Sequence, residues 1–157
     1  MSLPFSLPSP VAEGMASAVH VEIRQQRFSP PAELDLWRSD AAADALFLGR
    51  VRGTTIDGRV LQALEVEHYA GLCEQCIEQA AKALLSVHQA DQALVLHRVG
   101  RLLPGEVIVL VAVRADRRGA ALSCCSALLE ALKHDAPFWK REWCEGQGTW
   151  LTSNTPR

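Results

Sequence analysis

The chain has 157 residues, with 16 Lys and Arg against 18 Asp and Glu, a formal charge of −2 and 48% hydrophobic residues. That length suits one domain whose core is large enough to fold without disulfide or metal staples. The composition is neither disordered nor collagen-like, and near-neutral charge argues against a general nucleic-acid coat, which needs surplus cations.

Residues 1–18 are rich in Pro and Ser, carry the single charge Glu13, and are expected to form a flexible extension. The longest uncharged run, Met1 to Ala12, is interrupted by Pro4, Pro8 and Pro10. It falls short of the roughly 20 apolar residues of a spanning helix. It also lacks the basic and apolar regions of a signal peptide. Five cysteines, two of them adjacent at Cys124 and Cys125, fit a reduced cytoplasmic chain better than a disulfide framework.

Val19 to Arg24 alternates as a short strand, and Ser29-Pro30-Pro31 opens a helix around Ala32 to Arg38, with Ser29 as cap. Ala45 to Arg52 and Val60 to Tyr69 read as strands. From Gly71 to Val87 the apolar residues Leu72, Cys73, Cys76, Ile77, Ala80, Ala81 and Leu84 recur at a helical period. Gln92–Val99 and Glu106–Arg114 are two more strands, joined through the turn Leu103-Pro104-Gly105. The unbroken apolar run Val107–Val113 predicts a central strand buried on both faces. A second long helix runs from about Arg118 to Lys133, with Ala121, Leu122, Cys125, Leu128, Leu129 and Leu132 toward the core. Pro137 stops it, and Phe138–Cys144 leaves as a strand. The order ββαββαβ after a small βα opening predicts an α+β fold with a largely antiparallel sheet and two main helices.

Cys73-Glu74-Gln75-Cys76 is a CxxC, but both cysteines fall on the buried face inside a helix. A redox pair sits at a helix N-terminus, and a zinc site needs two further ligands. Core packing is the expectation, and no metal site is predicted. The histidines show no metal-binding spacing, and His68 and His97 are read as structural hydrogen-bonding residues. Nucleophile-elbow, phosphate-loop and dinucleotide motifs are absent.

What remains is a local excess of cations. Between Arg114 and Arg141 six Lys and Arg (Arg114, Arg117, Arg118, Lys133, Lys140, Arg141) stand against Asp116, Glu130 and Asp135. The segment is therefore +3 and the rest of the chain −5. Arg117 and Arg118 sit where a strand enters a helix, a place that favours anions. Period two puts Phe138, Lys140 and Glu142 on one face of the last strand and Trp139, Arg141 and Trp143 on the other.

Several elements then fall into one register: Phe47-Leu48-Gly49-Arg50-Val51-Arg52, Leu64-Glu65-Val66-Glu67-His68-Tyr69, His97-Arg98-Val99-Gly100, Leu103-Pro104-Gly105-Glu106, and Leu132-Lys133 with Ala136-Pro137-Phe138-Trp139-Lys140-Arg141-Glu142. Together they resemble the large, catalytic subunit of molybdopterin synthase, the MoaE family. The resemblance covers residues 19–150, leaving residues 1–18 and a tail at 151–157 outside it.

The resemblance implies an α/β-hammerhead type of fold. It also implies a sulfurtransferase that converts cyclic pyranopterin monophosphate to molybdopterin, with no cofactor of its own. Sulfur arrives as a thiocarboxylate on the C-terminal glycine of a small ubiquitin-like subunit, and the large subunits form a homodimer within a heterotetramer. By the same resemblance, the substrate-contacting positions fall at Arg50, Val51, Arg52, Arg117, Arg118, Lys133, Lys140, Arg141 and Glu142. Guanidinium forks of Arg52 and Arg118 suit a phosphate ester. Lys133, among other cations, is expected to have a lowered pKa and to act as a proton shuttle or transient partner of the tail. Lys140 is expected to stabilise oxyanion charge, and Glu142 to orient its neighbours or relay a proton. Cys144 lies beyond the motif, so the sulfur is expected to come from the partner chain.

There is one departure: the family usually has His-Arg where this chain has Arg117-Arg118. Arginine binds and positions anions but does not exchange protons near neutral pH. The competing expectation is therefore a non-catalytic homologue that binds the small subunit or a pterin phosphate without turnover.

Overall fold

The computed structural model of the chain describes residues 18–37 and 40–152. Among these residues the order is β1 (Val19–Arg24), α1 (Pro30–Leu36), β2 (Ala43–Arg50), β3 (Ala63–His68), α2 (Leu72–His88), β4 (Gln92–Arg98), β5 (Gly100–Leu102), β6 (Val107–Ala115), α3 (Arg118–His134), β7 (Phe138–Cys144) and β8 (Gln147–Trp150). The expected extension at residues 1–18 lies outside the described residues save for Ala18, as does most of the tail. No helix among the described residues is long and apolar enough to cross a membrane.

The strands form two four-stranded sheets, β1-β4-β6-β2 and β5-β3-β7-β8. Only β1–β4 is a parallel pair; the other five described pairs are antiparallel. The α+β expectation with two main helices is borne out. β6 lies between β4 and β2, as its apolar run predicts. Val109, Val111 and Val113 share a core with Cys73, Ile77, Cys125 and Leu128 of the two long helices. The alternate residues Leu110 and Ala112 face Phe28, Leu34 and Trp37 instead. Two-sided burial is what an inner strand with helices on both faces requires. A third cluster, including Val51, Leu64, Val66 and Leu102, fills the second sheet's inner side.

Local chemistry sets the helix ends. Ser29 caps α1 through its hydroxyl, which accepts from the Ala32 N–H, and proline occupies the first turn. The Glu74 carboxylate accepts the Gly71 N–H at 2.6 Å, closing the start of α2. α2 buries Cys73, Ile77, Ala81 and Leu85, a strict four-residue stripe. α3 buries Ala121, Cys124, Cys125, Leu128 and Leu132.

Two apolar residues expected in the core are exposed, Leu72 at 49% and Leu122 at 61%. Leu72 is the first residue of α2, where no neighbouring turn covers it. Leu122 lies about 100° round the helix from Ala121, off the stripe that packs.

Two strands are additional to the sequence reading. The chain leaves β4 and enters β5 at Gly100, whose φ of 90° breaks the strand and passes the chain to the second sheet. The turn Leu103-Pro104-Gly105 therefore joins β5, not β4, to β6. β8 follows a tight hairpin in which Glu145 (φ 49°) and Gly146 (φ 75°) are both left-handed, the conformation two-residue hairpins favour.

Candidate active site

The two sheets and the end of α3 enclose a cavity of about 800 Å³. Four features of the sequence bring cations to it. β2 and β6 lose register between Gly49 and Arg50, a bulge that re-aims the side chain leaving the strand. Val51 is then pinned by two backbone bonds: its N–H donates to the Glu106 carbonyl, and its own carbonyl accepts the Gly105 N–H, both at 2.9 Å. Arg50 and Arg52 flank this buried anchor and line the cavity mouth.

At the opposite wall, α3 ends with Lys133 and His134 in its last turn, where cations complement the helix dipole. Its final bond runs from the Asp135 N–H to the Ala131 carbonyl at 2.8 Å, and Pro137 prevents continuation. The chain turns straight into β7, which sends Phe138, Lys140 and Glu142 into the cavity. The seven-residue spacing from Lys133 to Lys140 thus places one lysine on a helix end and one on a strand, facing a shared space.

The charge balance is lopsided. Arg50, Arg52, Lys133 and Lys140 line the cavity against one carboxylate, Glu142. Burial, and next the Lys133 charge, hold the Lys140 ammonium below its ordinary pKa of 10.5. Among the described residues Lys140 makes no ion pair. A desolvated, unpaired cation is costly in isolation and is relieved by an incoming anion.

Six of the nine sequence-predicted positions therefore meet: Arg50, Val51, Arg52, Lys133, Lys140 and Glu142. Val51 contributes by anchoring, since it is 4% exposed and packed in the second sheet's core. Three do not join them within this chain. Arg141 lies on the outer face of β7, ion-paired to Glu65 and stacked between Trp143 and Trp150, 4.7 and 4.6 Å from the ring centroids. Arg117 and Arg118 are exposed at the start of α3. Fifteen residues at 1.5 Å rise put Arg118 about 22 Å from Lys133 along the helix axis.

The structure also adds residues that motif reading did not assign to the cavity, notably His97, His134 and the loop residues Thr54, Thr55 and Ile56. His97 was legible only as a member of His97-Arg98-Val99-Gly100; nothing in periodicity distinguishes a strand histidine that faces a cavity from one in a core. His68 lies in β3, with its Nε2 3.7 Å from Glu74 and its ring 6.4 Å from that of Phe138.

The cysteines stand apart from this chemistry. No cysteine lines the cavity. Cys73 is fully buried in the main core, and burial, assisted by the Glu74 charge, pushes its thiol up to about 12. Cys144, the last residue of β7, is buried in the second sheet's core.

Comparison with known proteins identifies the family and the fold. The profile of the MoaE protein family matches residues 23–135. A molybdopterin synthase catalytic subunit from Ralstonia nicotianae is 38% identical over 120 residues, 76% of this chain and 68% of that protein. Among solved structures, a molybdopterin biosynthesis MoaE protein from Burkholderia ambifaria superposes with a TM-score of 0.72 at 34% identity, covering 85% of this chain and 88% of that one. The complex of subunits 1 and 2 of the molybdopterin-converting factor from Helicobacter pylori gives 0.71 at 20% identity, covering 84% and 90%, a likeness of fold alone. With the family's profile spanning most of the domain and the motif lysines meeting in one cavity, the chain belongs to the MoaE family.

Proposed function

We propose that the chain is the catalytic subunit of a molybdopterin synthase, a sulfurtransferase acting on cyclic pyranopterin monophosphate. The observation that carries this reading is the shared cavity of Lys133 and Lys140, with Lys140 half-buried, making no ion pair among the described residues, and held below its ordinary pKa by burial and then by the Lys133 charge. Both reacting species are anions, a phosphate ester and a thiocarboxylate, and the cavity offers four cations against one carboxylate. Guanidinium groups at Arg50 and Arg52 suit the phosphate oxygens.

The thiocarboxylate sulfur bonds to the substrate by displacing an oxygen, and water then attacks the acyl carbon of that thioester. Lys140, with its depressed pKa, supplies a preorganised charge for the oxyanion so formed. The C–S bond to the acyl carbon then breaks, leaving sulfur on the pterin and a carboxylate on the tail. Lys133 exchanges protons with the sulfur and leaving oxygen. Glu142, on the same face of β7 as Lys140, orients the ammonium groups. The sulfur comes from a partner, a small ubiquitin-like subunit with a thiocarboxylated C-terminal glycine, because the cavity wall carries no thiol.

Arg117 and Arg118 enter this reading through a second copy of the chain. At about 22 Å from their own Lys133, they serve a neighbour's cavity in a homodimer. Five unpaired thiols suit a reducing compartment, the cytoplasm. The second reading, a binding module without turnover, draws on Arg117 replacing the family's usual histidine. A half-buried Lys140 without an ion pair among the described residues favours catalysis over storage, since a storage site gains nothing from a depressed pKa.

The test mixes the purified chain with thiocarboxylated small subunit and the cyclic precursor, and follows product as its fluorescent oxidised pterin. Turnover supports the synthase; tight binding of both without product supports the module.

A further inference from the structure

One polar side chain in the cavity wall has a second polar atom with nothing assigned to it. His97 is 5% exposed and lines the cavity. Its ring stacks on Phe138, with centroids 4.0 Å apart and planes 16° from parallel. Its Nδ1 lies 2.8 Å from the Arg98 carbonyl oxygen, which can only accept, so Nδ1 carries the proton. Nε2 is then the lone-pair nitrogen of a neutral ring, and among the described residues no group donates to it. Burial foremost, and then the Lys140 charge, hold the imidazole pKa down to about 3. The ring therefore stays uncharged wherever the protein works.

A neutral imidazole acceptor stands in contrast to the four cations of the cavity. Arg50, Arg52, Lys133 and Lys140 are donors suited to anions. A lone pair repels phosphate and thiocarboxylate oxygens and attracts an N–H. The substrate assigned above carries both kinds of group, an anionic phosphate at one end and ring N–H donors at the other.

We propose that His97 is a substrate-recognition residue whose Nε2 accepts a hydrogen bond from a ring N–H of the bound pterin. The inference rests on the pterin phosphate of the proposed function. It gives the cavity a polarity: the heterocycle's donor edge lies against β4, and the phosphate lies toward Arg50 and Arg52 at the mouth. Phe138 holds the imidazole plane fixed, so the contact discriminates by direction as well as by chemistry.

The test uses the full chain labelled with ¹⁵N at histidine, titrated with cyclic pyranopterin monophosphate and, separately, with inorganic phosphate. The Nε2 resonance of His97 is expected to move upfield with the pterin phosphate and to stay in place with phosphate. Affinities of variants add a second readout. His97→Phe is expected to weaken the pterin phosphate about tenfold, the worth of one hydrogen bond to a buried acceptor, and to leave phosphate binding unchanged. His97→Gln, whose amide oxygen reaches the Nε2 position, retains most of the affinity. His97→Asn, which keeps only the bond to the Arg98 carbonyl, does not. Pterin phosphate bound with a stationary Nε2, or with wild-type affinity in His97→Asn, overturns the inference alone. Failure of the wild-type chain to bind pterin phosphate overturns the proposed function and this inference with it.

Discussion

Arg141 and Glu65 face each other directly across the β7–β3 ladder, with one guanidinium nitrogen 2.8 and 2.9 Å from the two carboxylate oxygens. Trp143 donates its indole N–H to the same carboxylate at 2.9 Å. The preceding residue, Lys140, points to the other face and into the cavity. Adjacent cations of one motif thus have separate tasks, one in holding the sheet and one in the site.

Arg141→Met is therefore expected to lower the thermal midpoint at pH 7 while leaving phosphate affinity unchanged. Arg141 foremost, and Trp143 next, hold the Glu65 carboxyl below its ordinary 4.5. A depressed carboxylate stabilises the fold above its unfolded pKa, and that stabilisation is lost as pH falls through the folded value. The gap in midpoint between variant and wild type should accordingly shrink from pH 7 to pH 3, as followed by circular dichroism on heating. A large loss of phosphate affinity would return Arg141 to the binding site.

Lys140→Met is expected to trade function for stability. Burial and the Lys133 charge disfavour the Lys140 ammonium in the fold. The unfolded chain therefore binds more protons between the folded pKa and 10.5, and wild-type stability rises with pH across that window. Methionine removes the penalty and fills the same space, so urea unfolding at pH 7 should show a gain of about 1 kcal/mol. The rise above neutral pH should flatten in the variant, and turnover should fall by about 100-fold or more.

The sequence carried more of this site than of the sheets around it. Period two in Phe138–Cys144 separates Lys140 and Glu142 from Arg141 and Trp143, and the cavity and the Glu65 pair occupy those two faces. The apolar run Val107–Val113 identifies an inner strand because no polar residue interrupts either face. Neither signal exists for β5, three residues long, or for β8, whose four residues are all exposed. The hairpin Glu145-Gly146 was the available clue to β8, since glycine readily takes the left-handed conformation such turns need. Gly148 completes it: a Cβ there would lie 2.8 Å from Arg141 Cδ and 3.0 Å from the Trp143 ring. Arg117 and Arg118 show the opposite limit, where proximity in charge pattern ran along the chain and a 17-residue helix carried the two groups away from Lys133.

The cysteine pair of α2 separates packing from chemistry. Cys73 is fully buried and its thiol is raised to about 12, so it is neither nucleophile nor ligand near neutral pH. A Cys73→Ala, Cys76→Ala double variant should keep wild-type turnover and lose about 1–2 kcal/mol of stability, the cost of small deletions in a packed core. Lost activity with stability intact would contradict the packing role.

The most direct test of the account is a single-turnover measurement with thiocarboxylated small subunit, cyclic precursor and the Lys133→Ala variant. If the cavity is the sulfur-transfer site, the variant binds the precursor but forms product at least about 100-fold more slowly than wild type, the scale of a lost acid–base group. Full turnover by Lys133→Ala would contradict it.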